Sequence, residues 1–388
     1  MARKQRKSVI ATLFAALMLC AGLLSACAPQ QQQPQQGGEN VPAASETTTP
    51  AAAIDVTQTF PSWNKDSESL AKLVSYVQDV TDKGSANYVE PEERLATFDM
   101  DGTLLCEKAP VYVDYCMLMH RVLDDPTYEA PEEYKEVCQR IRANADQGIV
   151  DSALDADKNR VLNGAFEGMT PEEFRAYVVN FIDTAAAEGF DGMTYGQSVY
   201  KPMAEVVEYL RANDFDVYVV SACEREVARA IAVSKLGVEP NHVIGTDWGV
   251  KATGQGDEAA NEYTFADEDV LTFDGTKDTE LAKLNKVIFI EREIGRRPLL
   301  AFGNSSGDYA MLNYAQANPE HKGMGLLVLC DDAVREYGDL ERAAKQAGEA
   351  QEAGWTTFSM ANDWETIYGD GVSKTALAAD ANQMAEAA

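Results

Sequence analysis

Two aspartates stand two residues apart, Asp99 and Asp101, in the run Ala-Thr-Phe-Asp-Met-Asp-Gly-Thr-Leu from Ala96 to Leu104. They close a short apolar stretch, Leu95–Phe98, and Gly102 and Thr103 follow at once. Paired carboxylates can share the work of nucleophile and proton donor. They can equally end a strand in an ordinary turn. Two later places favour chemistry. Ser221 ends the apolar run Val217–Val220, and Gly303-Asn304-Ser305-Ser306-Gly307-Asp308 ends Leu299–Phe302. Lys286 lies in a helical pattern just ahead of that third run. Taken alone, Ser221 could be a helix cap and Lys286 a solvated surface charge. The ordered set is what raises the chemical reading.

These residues need elements to hold them. Leu95–Phe98, Asp216–Val220, Val243–Gly245, Leu299–Phe302 and Gly325–Cys330 read as short buried strands. Helical patterns separate them at Ser67–Val80, Met203–Ala212, Glu224–Leu236, Leu281–Ile294, Tyr309–Ala315 and Ala333–Gly348. Asn261–Phe273 reads as an extended excursion. Alternating strands and helices imply an α/β fold, a Rossmann-like parallel sheet with helices on both faces. One block interrupts it. Glu107–Glu188 reads as mostly helical; Pro131-Glu132-Glu133 opens one segment and Thr170-Pro171-Glu172-Glu173 another, with a capping box and a proline at the first position. The expected division is a core over 60–105 and 196–375, an inserted helical block over 106–195 and a flexible tail over 376–388. Near the C-terminus Trp355, Phe358 and Trp364 are expected to pin the last segment to the core, or else to form a binding patch.

In an open parallel sheet, chemistry gathers beyond the carboxyl ends of the strands. The arrangement resembles the haloacid dehalogenase superfamily, in particular its phosphoserine-phosphatase-like branch. The resemblance covers about residues 95–330 and rests on D-x-D-G-T-L at Asp99–Leu104, on Ser221, on Lys286 and on the acidic loop Gly303–Asp308. It implies a phosphatase with an inserted cap that closes over a small organic phosphate. Asp99 is then the nucleophile, forming an aspartyl-phosphate, and Asp101 the general acid and base. Mg²⁺ would be held by Asp99, the backbone carbonyl of Asp101, Asn304 and Asp308. Ser221 and the amides near Ala222, helped by the following helix N-terminus, would bind phosphoryl oxygens. Gly102 and Thr103 would line the same pocket, and Lys286 would face both phosphate and nucleophile. Glu107 would point in from the start of the cap, and Arg225 and Arg229 would reach the substrate from the helix after Ser221; each could equally be surface charge. Tyr112, Tyr115 and Met119 would line the cap or pack its core. The family's fourth motif often begins Gly-Asp, whereas this chain has Gly303-Asn304, an amide that coordinates without charge.

Bulk properties narrow the partners. The chain has 388 residues and a formal net charge of -30. That argues against nucleic acid, whose phosphates need Lys and Arg. It also gives no long-range attraction for anions, so any phosphate site must be local. The N-terminus carries Arg3, Lys4, Arg6 and Lys7 before the apolar run Val9–Leu24, the layout of a secretory leader. Leu24-Ser25-Ala26-Cys27 resembles the lipobox of bacterial lipoproteins. The resemblance implies a signal peptide over 1–26, lipidation at Cys27 and anchoring to the outer side of a bacterial membrane. Residues 27–59 are expected to be a disordered tether. Of the remaining cysteines, none has zinc spacing, and one disulfide within 106–138 is open. None of the three histidines has a spacing that suggests a metal pair. The reading is an Mg²⁺-dependent phosphomonoesterase. Its rivals are a phosphotransferase using the same intermediate and a lipid-anchored binding protein without turnover.

Overall fold

The computed structural model describes residues 54–147 and 149–375. The expected leader, Cys27, most of the tether and the tail from 376 lie outside the described residues. Within the stretch assigned to the tether, a short helix, Val56–Thr59, is capped by Asp55, whose carboxylate accepts the Gln58 N–H. Ordered chain therefore begins before residue 60.

Six strands form one sheet. In chain order they are β1 (Leu95–Phe98), β2 (Asp216–Glu224), β3 (Val243–Thr246), β4 (Leu300–Gly303), β5 (Met324–Leu329) and β6 (Thr356–Ser359). Their spatial order is β3-β2-β1-β4-β5-β6, and every neighbouring pair is parallel. The order reverses at β1. The crevice beyond its carboxyl end is where such sheets bind ligands, and Asp99 is the first residue there.

Alternate side chains sort to the two faces of the sheet. Phe98, Val219, Phe302 and Val328 share one core with Leu73, Val77 and Val206 from helices Glu68–Thr81 and Lys201–Ala212. Val220, Ala301 and Leu327 share another with Ile290, Leu312 and Ala343 from helices Leu284–Glu293, Tyr309–Gln316 and Leu340–Ala353. Both faces are covered, which is why β1 is buried at all four positions. Phe98 and Phe302 are register partners, and their rings stack with centroids 4.1 Å apart. Truncating a buried phenylalanine costs about 3–5 kcal/mol, so this stack anchors the strand that carries Asp99.

The inserted block has helices Val113–Met119, Glu132–Ala145, Asp155–Ala165 and Pro171–Thr184, with a wider turn over His120–Asp124 after the first. The expected capping box is present: Thr170 Oγ1 accepts the Glu173 N–H, and Glu173 accepts the Thr170 N–H. Phe174, Val178 and Phe181 are buried. A second excursion joins the block. Strands Trp248–Ala252 and Leu271–Lys277 pair as an antiparallel hairpin. The hairpin docks through Gly168 N–H to Phe273 O (3.0 Å) and Phe273 N–H to Met169 O (2.9 Å), and Phe174 sits 5.1 Å from Trp248 and 5.4 Å from Phe273. The strand thus starts later than the excursion expected at 261. Asp269 is the reason: its carboxylate gathers the Gly254 and Ala266 N–H groups and the Tyr263 hydroxyl into a loop.

The last helix also starts later than Ala333. Asp332 accepts the Val334 and Arg335 N–H groups in a turn, and Asp339 caps the helix that follows at Leu340. A strand at 356–359 and a two-stranded pairing of Phe190–Asp191 with Ser373–Lys374 were not foreseen. Phe358 and Trp364 are buried, and Trp63 packs against both, tying the two ends of the described chain together. The five cysteines from Cys106 to Cys330 are free thiols. Among the described residues no helix is long and apolar enough to cross a membrane.

Candidate active site

At the end of β1 the Asp99 N–H still donates to Phe302 O (2.9 Å), so the carboxylate leaves a fixed backbone. The chain then turns sharply. The N–H groups of Thr103, Leu104 and Leu105 all point at Met100 O, and Gly102 has φ +79°. A Cβ at Gly102 would come within 1.9 Å of the Asn304 amide nitrogen. Glycine is therefore needed twice, for its backbone angle and for the approach of the Gly303–Asp308 loop.

Lys286 reaches into this turn from helix Leu284–Glu293 and is 1% exposed. Its ammonium donates to Asp99 Oδ1 (2.5 Å), Val220 O (2.7 Å) and Asp308 Oδ1 (2.7 Å). All three of its protons are placed. Burial pulls the Lys286 ammonium down, but Asp308 and Asp99 more than restore it, leaving its pKa above the ordinary value. The other Asp308 oxygen accepts the N–H groups of Asn304 and Ser305, both at 3.0 Å. Asp308 thus holds both Lys286 and its own loop. Asn304 is then the loop side chain with an unengaged polar atom. Its amide nitrogen is buried without a partner, while its backbone carbonyl accepts from Gln346 (2.7 Å).

Asp99 Oδ2 has only a long contact with the Thr103 hydroxyl, 3.4 Å. Burial, then the charge of Asp308, raises Asp99 to about 7 despite Lys286. Asp101 Oδ1 is buried with no partner. Burial first, then Asp99, Asp114 and Glu107, push Asp101 well above the carboxylate range. One carboxyl is held ready to carry a proton beside another pinned to a lysine.

These residues share a cavity of about 360 Å³ with Ser221, Ala222 and Glu107. Ser221 is buried, and its hydroxyl accepts the Cys223 N–H at 3.1 Å. The expected helix follows, starting at Arg225. Strand β2 runs on to Glu224, and Glu224 caps the helix Arg225–Leu236 by accepting the Val227 N–H (2.8 Å). Arg225 and Arg229 are not in the lining. Arg225 is drawn to Asp247 and Glu293 by hydrogen bonds of 2.6 to 2.8 Å, and Arg229 to Glu226 and Pro240 O. Glu107 does line the cavity, but both its oxygens are engaged by Arg342, at 2.9 and 3.2 Å. Four larger surface grooves hold none of the motif residues.

The opposite wall comes from the inserted block. Tyr112 and Tyr115 line the cavity, and Met119 is in the core. Asp114, Asp155 and Lys158 line it too and had no motif to mark them. Arg342 and Gln346 reach the site from a helix some forty residues past the loop they brace, a relation no local pattern carries. Among the described residues, the one three-ligand cluster is Glu93, Glu320 and His321. It sits before β1 and β5, at the end of the sheet away from Asp99.

The sequence matches the model of the haloacid dehalogenase-like hydrolase family over residues 96–313, from β1 to the helix after the Gly303–Asp308 loop. The chain belongs to this family. It is accordingly a hydrolase of the haloacid dehalogenase type, and the matched span includes every motif residue described above. No curated protein matches it. Among solved structures it is similar to a protein of unknown function from Bordetella pertussis Tohama I, at 18% identity and TM-score 0.42, covering 69% of this chain and 98% of that one. It is similar to a conserved protein of unknown function from Anaerococcus prevotii at 16% identity and TM-score 0.47, covering 77% and 92%. It is also similar to a phosphoserine phosphohydrolase-like protein from Francisella tularensis at 11% identity and TM-score 0.35, covering 65% and 92%.

Proposed function

We propose that this hydrolase cleaves small phosphomonoesters through Asp99. The observation that carries the reading is the Lys286 ammonium bonded at once to Asp99 and Asp308, beside an Asp101 carboxyl with a free, buried oxygen. With Oδ1 fixed by Lys286, the freer Asp99 Oδ2 attacks phosphorus as the ester P–O bond breaks. Asp101 gives its proton to the departing alkoxide. The carboxylate left behind takes a proton from water, which attacks the aspartyl-phosphate and frees Asp99 and inorganic phosphate. Ser221 and the backbone near Ala222 face the incoming phosphoryl oxygens.

The residues present fit a divalent cation. Two carboxylates and an amide with an unpartnered buried nitrogen line one cavity, and a half turn of that amide presents its oxygen. Asp99, the Asp101 carbonyl and Asn304 would hold Mg²⁺, a hard ion with oxygen ligands. Asp308 acts instead through Lys286. A bound Mg²⁺ would offset the repulsion between the attacking carboxylate and a phosphate dianion. The cavity volume, about 360 Å³, suits a small metabolite better than a phosphoprotein.

The test is release of phosphate from p-nitrophenyl phosphate and small phosphomonoesters by the purified protein, with and without Mg²⁺. Turnover that requires Mg²⁺ and vanishes in Asp99→Asn is expected. Turnover that survives in Asp99→Asn would refute the nucleophile. Ligand binding with no turnover at all would move the protein to the binding-protein class.

A further inference from the structure

The wall opposite Asp99 is unsuited to a second anion. The two cations of the cavity lining, Lys158 and Lys286, are both spent. Lys286 is bonded to Asp99 and Asp308, and Lys158 to Asp114 at 3.2 Å. The nearby Arg342 is spent on Glu107. The rim carboxylates have no such cover. Asp155 and Glu280 are exposed at the mouth. Neither has an ion-pair partner among the described residues; Asp155 accepts only the Tyr115 hydroxyl, at 3.1 Å.

The same wall already seats one ammonium. Lys158 is 8% exposed, lies 4.3 Å above the centre of the Tyr115 ring and bonds Asp114. Carboxylate and aromatic face together are the chemistry that stabilises a partly desolvated cation. Tyr112 stands beside Tyr115 with ring centroids 5.8 Å apart, so the aromatic surface extends past the lysine. The net charge of -30 acts in the same direction. A phosphate whose own tail is positive meets less long-range repulsion than a plain dianion.

Resting on the phosphatase reading, we infer that the preferred substrate is a small phosphomonoester whose alcohol carries an ammonium group, received by Asp155, Glu280 and the Tyr112–Tyr115 surface while its phosphate sits at Asp99. Discrimination at the tail is then electrostatic. An uncharged tail loses the carboxylates, and a carboxylate tail is repelled by them.

The experiment compares kcat/KM for 2-aminoethyl phosphate and choline phosphate with propyl phosphate and phosphoglycolate, with Mg²⁺ present throughout. The ammonium esters should exceed propyl phosphate by about tenfold, the scale of one well-placed cation–π and charge contact, and phosphoglycolate should fall below it. In Asp155→Asn the ratio of ammonium to neutral ester should shrink about threefold, as expected for one exposed charge. Propyl phosphate or phosphoglycolate turned over as well as the ammonium esters would overturn the inference and leave the phosphatase standing. An unchanged ratio in Asp155→Asn would overturn the placement of the tail. Failure of every ester, p-nitrophenyl phosphate included, would remove the phosphatase reading and this inference with it.

Discussion

On the floor of the cavity Lys286 is 1% exposed and its ammonium meets three acceptors; on the wall Asp155 is exposed and meets one hydroxyl. The floor hangs on strand ends whose neighbours are fixed by a parallel ladder, and its charges are cross-braced at distances that leave no freedom. The wall is made mainly of side chains from separate helices of the inserted block, with contacts to one another and, among the described residues, no hydrogen bond to the sheet. Rigid placement belongs where bonds to phosphorus form and break, because misplacement there costs rate steeply. Looser, half-solvated contacts are enough to choose among substrate tails. The difference teaches that substitutions on the floor should abolish chemistry, whereas those on the wall should redistribute it.

The largest effect should come from the floor. Asp101→Asn removes the proton donor but keeps the shape. Hydrolysis of an alkyl phosphate should fall by about 10²–10⁴. With p-nitrophenyl phosphate, whose leaving group departs without a proton, the loss in the bond-breaking step should be far smaller. Rapid-quench measurement of the two substrates reads that split, and equal losses would deny Asp101 its acid role. Lys286→Met comes next. It should lower kcat by about 10²–10³, the usual cost of one charge-stabilising donor. It should also destabilise the fold by about 3–5 kcal/mol, because it leaves Asp99 and Asp308 buried together without a cation. Urea unfolding measures the second effect, and a stability loss below about 1 kcal/mol would mean the floor is less tightly braced than its geometry implies.

The floor was also the legible part. Asp99 and Asp101 are two residues apart, and Asn304 and Asp308 four, so local spacing carries their relation. Strand ends could be read from short apolar runs, and Lys286 from its place before β4. Of the wall, Tyr112 and Tyr115 were legible, but its charged residues were not, because Asp114, Asp155 and Lys158 meet only when the inserted helices pack, and packing order leaves no local pattern. The choice left open for Arg225 is decided by the same kind of distant partner: Asp247 and Glu293, 22 and 68 residues away, hold its guanidinium outside the cavity. The helix after Ser221 was legible to within one residue, but not that Glu224 caps it.

Glu336 sharpens the comparison from a third position. It is as buried as Asp308, at 1% exposure, but it has no cation among the described residues. Its carboxylate accepts from Cys106 Sγ at 3.2 Å and from the Tyr368 hydroxyl. Burial outweighs these hydrogen bonds and one from the Tyr337 backbone, and raises it from 4.5 to about 7. A carboxyl with a raised folded pKa holds its proton more tightly in the folded state. Its stabilising contribution is full below pH 4.5 and is lost as pH climbs through 7. Between pH 5 and pH 8 it should cost the fold about 1–3 kcal/mol. Glu336→Gln should flatten that part of the stability curve, as read by urea midpoints at the two pH values. An unchanged slope would show that Tyr368 and Cys106 stabilise the anion as well as a cation would.

The smallest effect separates wall from surroundings. Arg225 makes more hydrogen bonds than any wall residue, yet all go to Asp247, Glu293 and Val243 O, outside the cavity. The side chains of Asp247 and Glu293 are 40% and 30% exposed, so water screens the pairs and their worth is modest. Arg225→Ala should lower stability by about 0.5–1 kcal/mol and move KM and kcat for any phosphomonoester by less than about twofold, since nothing it touches lines the site. A tenfold rise in KM with stability intact would return Arg225 to the substrate. It would also mean that Asp247 and Glu293 release the guanidinium when ligand binds, and because Glu293 shares its helix with Lys286, the floor would then be less rigid than its bonding implies.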